Sequence, residues 1–107
     1  MARVMKLTDG TFGDVVFHSQ TAVLVEFWSP SAQNQLSDRF ALLEAVAVEC
    51  GDRIRVMRLD VDENPVAPMV YGVNRLPRAV LFRQGEEIAR WGSSLRKEEV
   101  LARLEPA

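Results

Sequence analysis

The chain is poor in the side chains from which many active sites are built. Its 107 residues include one cysteine, Cys50, and one histidine, His18. A single thiol excludes an intramolecular disulfide, a dithiol pair within the chain and a cysteine-rich metal site. With one histidine and one thiol, the sequence also predicts no bound metal and no cofactor.

Long apolar runs are missing as well. No apolar stretch reaches the roughly 18 residues that a membrane-spanning helix needs. The first residues, Met1–Lys6, lack the apolar core and small-residue cleavage site of a secretion signal. We therefore expect a cytoplasmic protein with no membrane partner.

Neither sign of charge dominates. The chain has 13 basic and 15 acidic residues, a formal net charge of −2 at pH 7, and no block of like charges interrupts it. Nucleic-acid-binding domains carry a basic patch or stripe, so we expect no nucleic-acid partner. A monomer and a weak homo-oligomer both stay open.

The chain has the composition of one globular domain. Apolar residues make up 48% of it and charged residues 26%, which is ordinary usage for folded proteins. Its length fits one domain with a modest core. We predict a single domain over residues 1–107.

Five segments have the pattern of β-strands. Ala22–Trp28 is apolar except for Glu26 and includes the β-branched Val23 and Val25, which is typical of a strand covered on both faces. Gln84-Gly85 separates two short apolar segments and predicts an antiparallel hairpin. The predicted strands are Val4–Leu7, Ala22–Trp28, Arg53–Val61, Ala79–Phe82 and Ile88–Trp91.

Helices are predicted between these strands. Thr8-Asp9 supplies capping oxygens for the first helix, and Pro65 can begin the third. The second runs from Leu36 to Cys50, before Gly51, with apolar positions that advance by three and four. That spacing predicts an inward-facing stripe of Leu36, Phe40, Leu43, Ala47 and Cys50.

The order of these elements predicts the fold class. A last helix, Lys97–Leu104, follows the hairpin and is expected to turn Val100, Leu101 and Leu104 inward. Strands that alternate with helices pair in parallel through crossovers, whereas the hairpin pairs antiparallel. The order βαβαβαββα therefore predicts an α/β fold with one mixed five-stranded sheet and helices on both faces.

Several strings along this order resemble the thioredoxin family, and together they cover nearly the whole chain. They are Val23-Leu24-Val25-Glu26-Phe27-Trp28, Leu59-Asp60-Val61-Asp62-Glu63-Asn64-Pro65, Tyr71-Gly72-Val73, Leu76-Pro77 and Ala79-Val80-Leu81-Phe82-Arg83-Gln84-Gly85-Glu86. The resemblance implies the thioredoxin fold, with a cis bond before Pro77.

The redox motif of that family, Trp-Cys-Gly-Pro-Cys, is absent. After Trp28 the chain reads Ser29-Pro30-Ser31-Ala32-Gln33-Asn34-Gln35, so Ala32 stands in place of the nucleophilic cysteine and Gln35 in place of the resolving one. Redox catalysis needs a thiolate stabilised at a helix N-terminus and a second thiol that releases the mixed disulfide. We predict no catalytic residue here and a redox-inactive protein.

The resemblance implies a site for a partner. In relatives, the loop before the fourth strand offers its backbone to an extended peptide, so we expect Leu76 to pair with a segment of another protein in an adaptor or co-chaperone-like role. Arg75 and Arg78 make this rim positive, and solvated arginines or recognition of an acidic partner both explain that charge. The predicted groove comprises Trp28, Ser31, Ala32, Gln33, Gln35, Leu76, Pro77, Arg78 and Ser93.

Glu26 is a lone carboxylate in an apolar strand. A buried carboxylate needs a charged or hydrogen-bonding partner. Where relatives carry a lysine on the neighbouring strand, this chain has Arg58. We therefore predict a buried, structural Glu26–Arg58 ion pair.

Two other functions stay open. A thiol oxidoreductase could work through Cys50 alone, although the C-terminal end of a helix raises the pKa of a thiol. The edge of the hairpin strand, Glu87–Trp91, could instead pair with another chain and make the protein a structural subunit of a larger complex.

Overall fold

The computed structural model describes residues 4–31 and 36–104, and of residues 36–38 it describes the backbone only. The predicted order βαβαβαββα is confirmed, and the strand boundaries lie within two residues of the predicted ones. The elements are β1 (Val4–Leu7), α1 (Asp9–His18), β2 (Ala22–Trp28), α2 (Leu36–Cys50), β3 (Ile54–Asp60), α3 (Val66–Val70), β4 (Arg78–Arg83), β5 (Glu86–Trp91) and α4 (Lys97–Leu104).

The strands form one mixed sheet in the order β1-β3-β2-β4-β5. β3 pairs in parallel with β1 and β2, while β4 pairs antiparallel with β2 and β5. β2 is therefore the central strand, which explains why it is apolar at nearly every position. The register places Glu26 of β2 beside Arg58 of β3 and beside Ala79 of β4.

Helices cover both faces of the sheet, as predicted, and each face has its own core. Alternate residues of β2 serve the two sides, with Val23, Val25 and Phe27 on the α1 and α3 side and Leu24 on the α2 and α4 side. None of the helices within the described residues is long and apolar enough to cross a membrane.

Side-chain caps connect α1 with α3. Thr8 and Thr11 form a capping box, in which the backbone N–H of each donates to the hydroxyl of the other. The carboxylate of Asp9 then accepts hydrogen bonds from the backbone N–H groups of Val66 (3.0 Å) and Ala67 (2.8 Å). One short polar segment thus caps its own helix and the start of α3.

The predicted stripe on α2 is wrong at Phe40, and its first position, Leu36, has a side chain outside the described residues. Phe40 is 42% exposed, whereas Arg39, Leu43, Val46 and Cys50 are buried. The buried positions advance by four, three and four residues, so the spacing is helical but the face is rotated toward Arg39. The rotation has a physical cause, because Arg39 must face the sheet to reach the carboxylate of Glu26.

Candidate functional site

The loop before β4 and the turn after β5 enclose a cleft, which we call the arginine cleft. The peptide bond between Leu76 and Pro77 is cis. A cavity of about 280 Å³ is lined by Arg75, Leu76, Pro77, Arg78, Gly92 and Ser93. Of the predicted groove residues, the structure brings Leu76, Pro77, Arg78 and Ser93 together here.

Arg78 is a half-buried wall of this cleft. Its backbone belongs to β4 and pairs with Phe27 of the central strand. A Cβ atom at Gly92 would lie 3.7 Å from Nη1 of Arg78 and 3.9 Å from the carbonyl oxygen of Pro77. The guanidinium therefore lies against the bare backbone of Gly92, the residue that follows β5.

A second cavity, which we call the Met69 cavity, adjoins the arginine cleft at Leu76. Its volume is about 340 Å³, and it is lined by Val61, Pro65, Pro68, Met69, Val73, Asn74 and Leu76. Met69 is 74% exposed, and Val66 and Val70 on the same short helix are more than half exposed. The two cavities share one residue, so the site combines a cationic part and an apolar part.

The segment after β2 is held by serine hydroxyls. Ser29, which is 5% exposed, donates from Oγ to Oδ2 of Asp62 at 2.6 Å. The hydroxyl of Ser31 lies 2.7 Å from that of Ser29 and 3.3 Å from the same carboxylate oxygen. Asp62 is thus the carboxylate partner of both serines, and it ties the segment after β2 to the one after β3.

Arg58 lies between two aromatic rings. Its guanidinium carbon is 4.1 Å from the ring centroid of Trp28 and 5.2 Å from that of Phe40. These distances fit cation–π contacts. Among the described residues, Nε and Nη2 of Arg58 have no hydrogen-bond partner, so the rings provide the contacts that hold this side chain.

The predicted Glu26–Arg58 ion pair is wrong, because the carboxylate pairs with Arg39. Nε of Arg39 donates to Oε2 of Glu26 at 2.7 Å, and Nη2 donates to Oε1 at 3.1 Å. The two side chains are 7% and 0% exposed. Arg39 approaches from α2 and meets the carboxylate with two parallel N–H groups, a geometry that Arg58, beside it in the sheet, does not offer.

Burial dominates the titration of Glu26. Desolvation raises the pKa of this carboxyl above its ordinary value, while the hydrogen bonds and charge of Arg39 and the charge of Arg58 act in the opposite direction. Burial likewise lowers the pKa of Arg58, against the charge of Glu26. These groups form the polar centre of the α2 face.

Cys50 lies far from the cleft. It is 3% exposed and packs in the core beneath α2 and α4. Burial raises the pKa of its thiol, with a further raising effect from Glu49 and opposing effects from Arg53 and Lys97. Cys50 lies four residues before Ile54, which pairs with Ala22 at the start of β2, whereas Arg78 of the cleft pairs with Phe27 near the end of β2.

Side chains cover part of the β5 edge. Nη1 of Arg103 in α4 donates to the carbonyl oxygen of Ile88 at 3.4 Å. Arg90 donates to Glu87 and to the carbonyl oxygen of Tyr71. A charged and partly covered edge does not favour pairing with another chain.

Of the other predicted groove residues, two lie outside the cleft and three lie outside the residues that the structure describes. Trp28 and Ser31 line neither of the two cavities, because Trp28 contacts Arg58 and Ser31 contacts Ser29. Ala32, Gln33 and Gln35 lie outside the residues that the structure describes. Within residues 4–31 and 36–104, no group of three or more histidine, cysteine, aspartate or glutamate side chains could hold a metal ion.

Sequence reasoning missed three residues of this region. Asp62 follows Ser29 by 33 positions, so only the adjacency of β2 and β3 could have joined them. Arg39 was missed because the adjacent Phe40 fits the apolar stripe of a helix better. Met69 lies in the short α3, and its exposure, like that of Val66 and Val70, is seen only in the structure.

Comparison with known proteins gives consistent matches. The family model described as Thioredoxin matches residues 3–105. A thioredoxin from Acidithiobacillus ferridurans is 31% identical over 102 residues, which cover 95% of this chain and 94% of that protein. A thioredoxin from Rickettsia prowazekii (strain Madrid E) is 30% identical over 84 residues, 78% of this chain and 79% of that protein. One from Haemophilus influenzae is 26% identical over 100 residues, 94% and 92% of the respective lengths.

Proposed function

Because the chain belongs to the thioredoxin family but has a single cysteine, buried at the far end of α2, we propose that it is a protein-interaction module without dithiol exchange. It binds an extended segment of another protein at the arginine cleft. One observation carries the proposal: the cleft around Leu76–Pro77 is formed, and no thiol lines it.

Without the two cysteines of the family motif the chain cannot carry out dithiol–disulfide exchange, but the binding surface at the arginine cleft does not depend on them. Disulfide exchange needs an accessible thiolate, whose formation a lowered pKa favours. The one thiol of this chain is buried and has a raised pKa, and residues 29–35 contain none. A thiol oxidoreductase that works through Cys50 is therefore the weaker candidate.

The backbone at Leu76 supplies the binding chemistry. Leu76 lies outside β4, and its N–H and C=O take part in none of the described backbone hydrogen bonds of turns and loops. An extended segment can pair with such free groups, as when a strand is added to a sheet edge. Side chains on either side of Leu76 then decide which segments fit.

An adaptor or co-chaperone-like role follows from such binding, with the cytoplasm as the expected compartment. The role of a structural subunit that assembles through β5 is less well supported, because Arg103 covers Ile88 on that edge. Light scattering of the concentrated protein distinguishes the two, since assembly through β5 requires a stable oligomer.

The redox part of the proposal is tested by insulin-disulfide reduction with dithiothreitol as reductant. We expect neither the wild type nor Cys50→Ser to exceed the uncatalysed rate. The variant Ala32→Cys/Gln35→Cys restores the family's two cysteines and serves as the matched comparison, with turnover expected. Activity of the wild type that disappears in Cys50→Ser would overturn the proposal.

The binding part is tested with a phage-displayed library of random nine-residue peptides. We expect the wild type to enrich binders, and Leu76→Pro to lose them because proline has no N–H to donate. Circular dichroism and thermal unfolding show whether that variant is folded. NMR titration of the wild type with an enriched peptide is an independent measurement, and an unshifted Leu76 amide would contradict the proposal.

A further inference from the structure

The arginine cleft carries positive charge that nothing in the described structure neutralises. The three ion pairs among the described residues use Arg39, Arg90 and Lys97. Neither Arg75 nor Arg78 takes part in one, and no acidic side chain lines the cleft. Two guanidinium groups thus flank the Leu76–Pro77 bond in a chain whose formal net charge is −2.

Arg78 is positioned before any ligand arrives. Its backbone is fixed in β4, the side chain is half-buried, and the guanidinium lies against Gly92. An arginine already restricted in this way loses less side-chain entropy on binding than a free surface arginine. Its planar N–H groups match the two oxygens of a carboxylate.

The Met69 cavity adds an apolar requirement. It meets the arginine cleft at Leu76, so a segment paired with that backbone lies beside both. Exposed Met69 offers a flexible, polarizable contact that adapts to different apolar side chains. Burial of one large apolar side chain there would remove an exposed apolar surface from water.

We propose that the site selects extended segments in which an aspartate or glutamate lies within about two residues of a large apolar side chain. The carboxylate binds Arg78 and Arg75, the apolar side chain enters the Met69 cavity, and the backbone pairs with Leu76. This inference rests on the proposed function and names the chemical class of the partner.

The charges beyond the Met69 cavity favour such a peptide over a nucleic acid. Val61 lines that cavity, and the acidic residues Asp62 and Glu63 follow it directly. A strand of successive phosphates that extended from the arginines in this direction would meet like charge. A segment with one carboxylate followed by an apolar residue avoids that repulsion.

The test measures the composition of the peptides enriched from the random library at about 0.15 M salt. The wild type is expected to enrich an acidic residue near a large apolar one at least fivefold over the input. Arg78→Gln should abolish the acidic preference and Met69→Ser the apolar one. Arg55→Gln removes the same charge from an exposed position of β3 and should change neither.

Direct affinities complete the test. For the best enriched peptide we expect replacement of its acidic residue by the matching amide to weaken binding about tenfold, as does Arg78→Gln. Enriched peptides without an acidic preference would overturn the inference and leave the proposed function standing, whereas a library without any binders would count against both. Tighter binding of a 12-residue single-stranded oligonucleotide would also overturn the inference.

Discussion

Arg39 of α2 holds the carboxylate of Glu26 with two hydrogen bonds, at 2.7 and 3.1 Å, in the interior between helix and sheet. Because Arg39 takes both carboxylate oxygens, Arg58 of the neighbouring strand is left to stack between Trp28 and Phe40. One arginine thus anchors α2 to β2, and the other positions the aromatic ring at the end of β2.

Removal of one member of the buried pair should be costly. We expect Arg39→Met to lower the free energy of unfolding by about 3–5 kcal/mol, because the buried carboxylate loses both of its hydrogen bonds and the charge paired with it. Glu26→Leu combined with Arg39→Met should recover most of that loss, since apolar packing can replace a buried ion pair. Urea denaturation measures both.

The matched control is Arg55→Met at an exposed position of β3, which should change the free energy of unfolding by no more than about 0.5 kcal/mol. A loss for Arg39→Met as small as that of the control would show that the pair does not stabilise the fold.

The strands and helices could be predicted because their sequence signals depend on adjacent residues. The hydrogen-bond partners of the polar side chains could not, because they lie far away in the sequence. The continuous apolar run of β2 and the turn at Gln84-Gly85 depend on adjacent residues, and the strands appear where those patterns lie. The partner of Glu26 depends on how α2 is rotated over the sheet, and that rotation buries Arg39 at a position where hydrophobicity favours Phe40. Contacts that join distant segments need the packed structure.

The raised pKa of Glu26 gives stability a specific dependence on pH. Because the folded pKa lies above the unfolded one, the stabilising contribution is complete below the unfolded pKa and is lost as pH rises through the folded value. The unfolding free energy of the wild type minus that of Glu26→Gln should therefore fall as pH rises above about 4. Urea titrations at several pH values measure this difference.

Glu87 provides a control of opposite sign. The hydrogen bonds from Arg90 lower its pKa, so its contribution is present above the unfolded pKa and is lost as pH falls through the folded one. The corresponding difference for Glu87→Gln should therefore rise with pH in the acidic range. Equal slopes for the two variants would contradict the assignment of Glu26.

The hydrogen bond between Ser29 and Asp62 should stabilise the segment that follows β2. Ser29→Ala leaves the carboxylate without its 2.6 Å donor and should cost about 1.5–3 kcal/mol. Ser31→Ala is the control, because that hydroxyl belongs to an exposed residue, lies 3.3 Å from the carboxylate and should matter less. A double-mutant cycle of Ser29→Ala with Asp62→Ala measures the interaction free energy between the two side chains. An interaction free energy near zero would show that this hydrogen bond does not stabilise the fold.

Cys50 should behave as an inert core residue toward alkylating reagents. It is 3% exposed and burial raises its pKa, so few molecules present an accessible thiolate at neutral pH. We expect iodoacetamide to modify native Cys50 about 100-fold more slowly than the same thiol in denaturant. The comparison variant is Val48→Cys in a Cys50→Ser background, since Val48 is 61% exposed on the same helix. Equal native rates for Cys50 and this thiol would restore the single-cysteine oxidoreductase as a candidate, because an accessible thiolate is what that function needs.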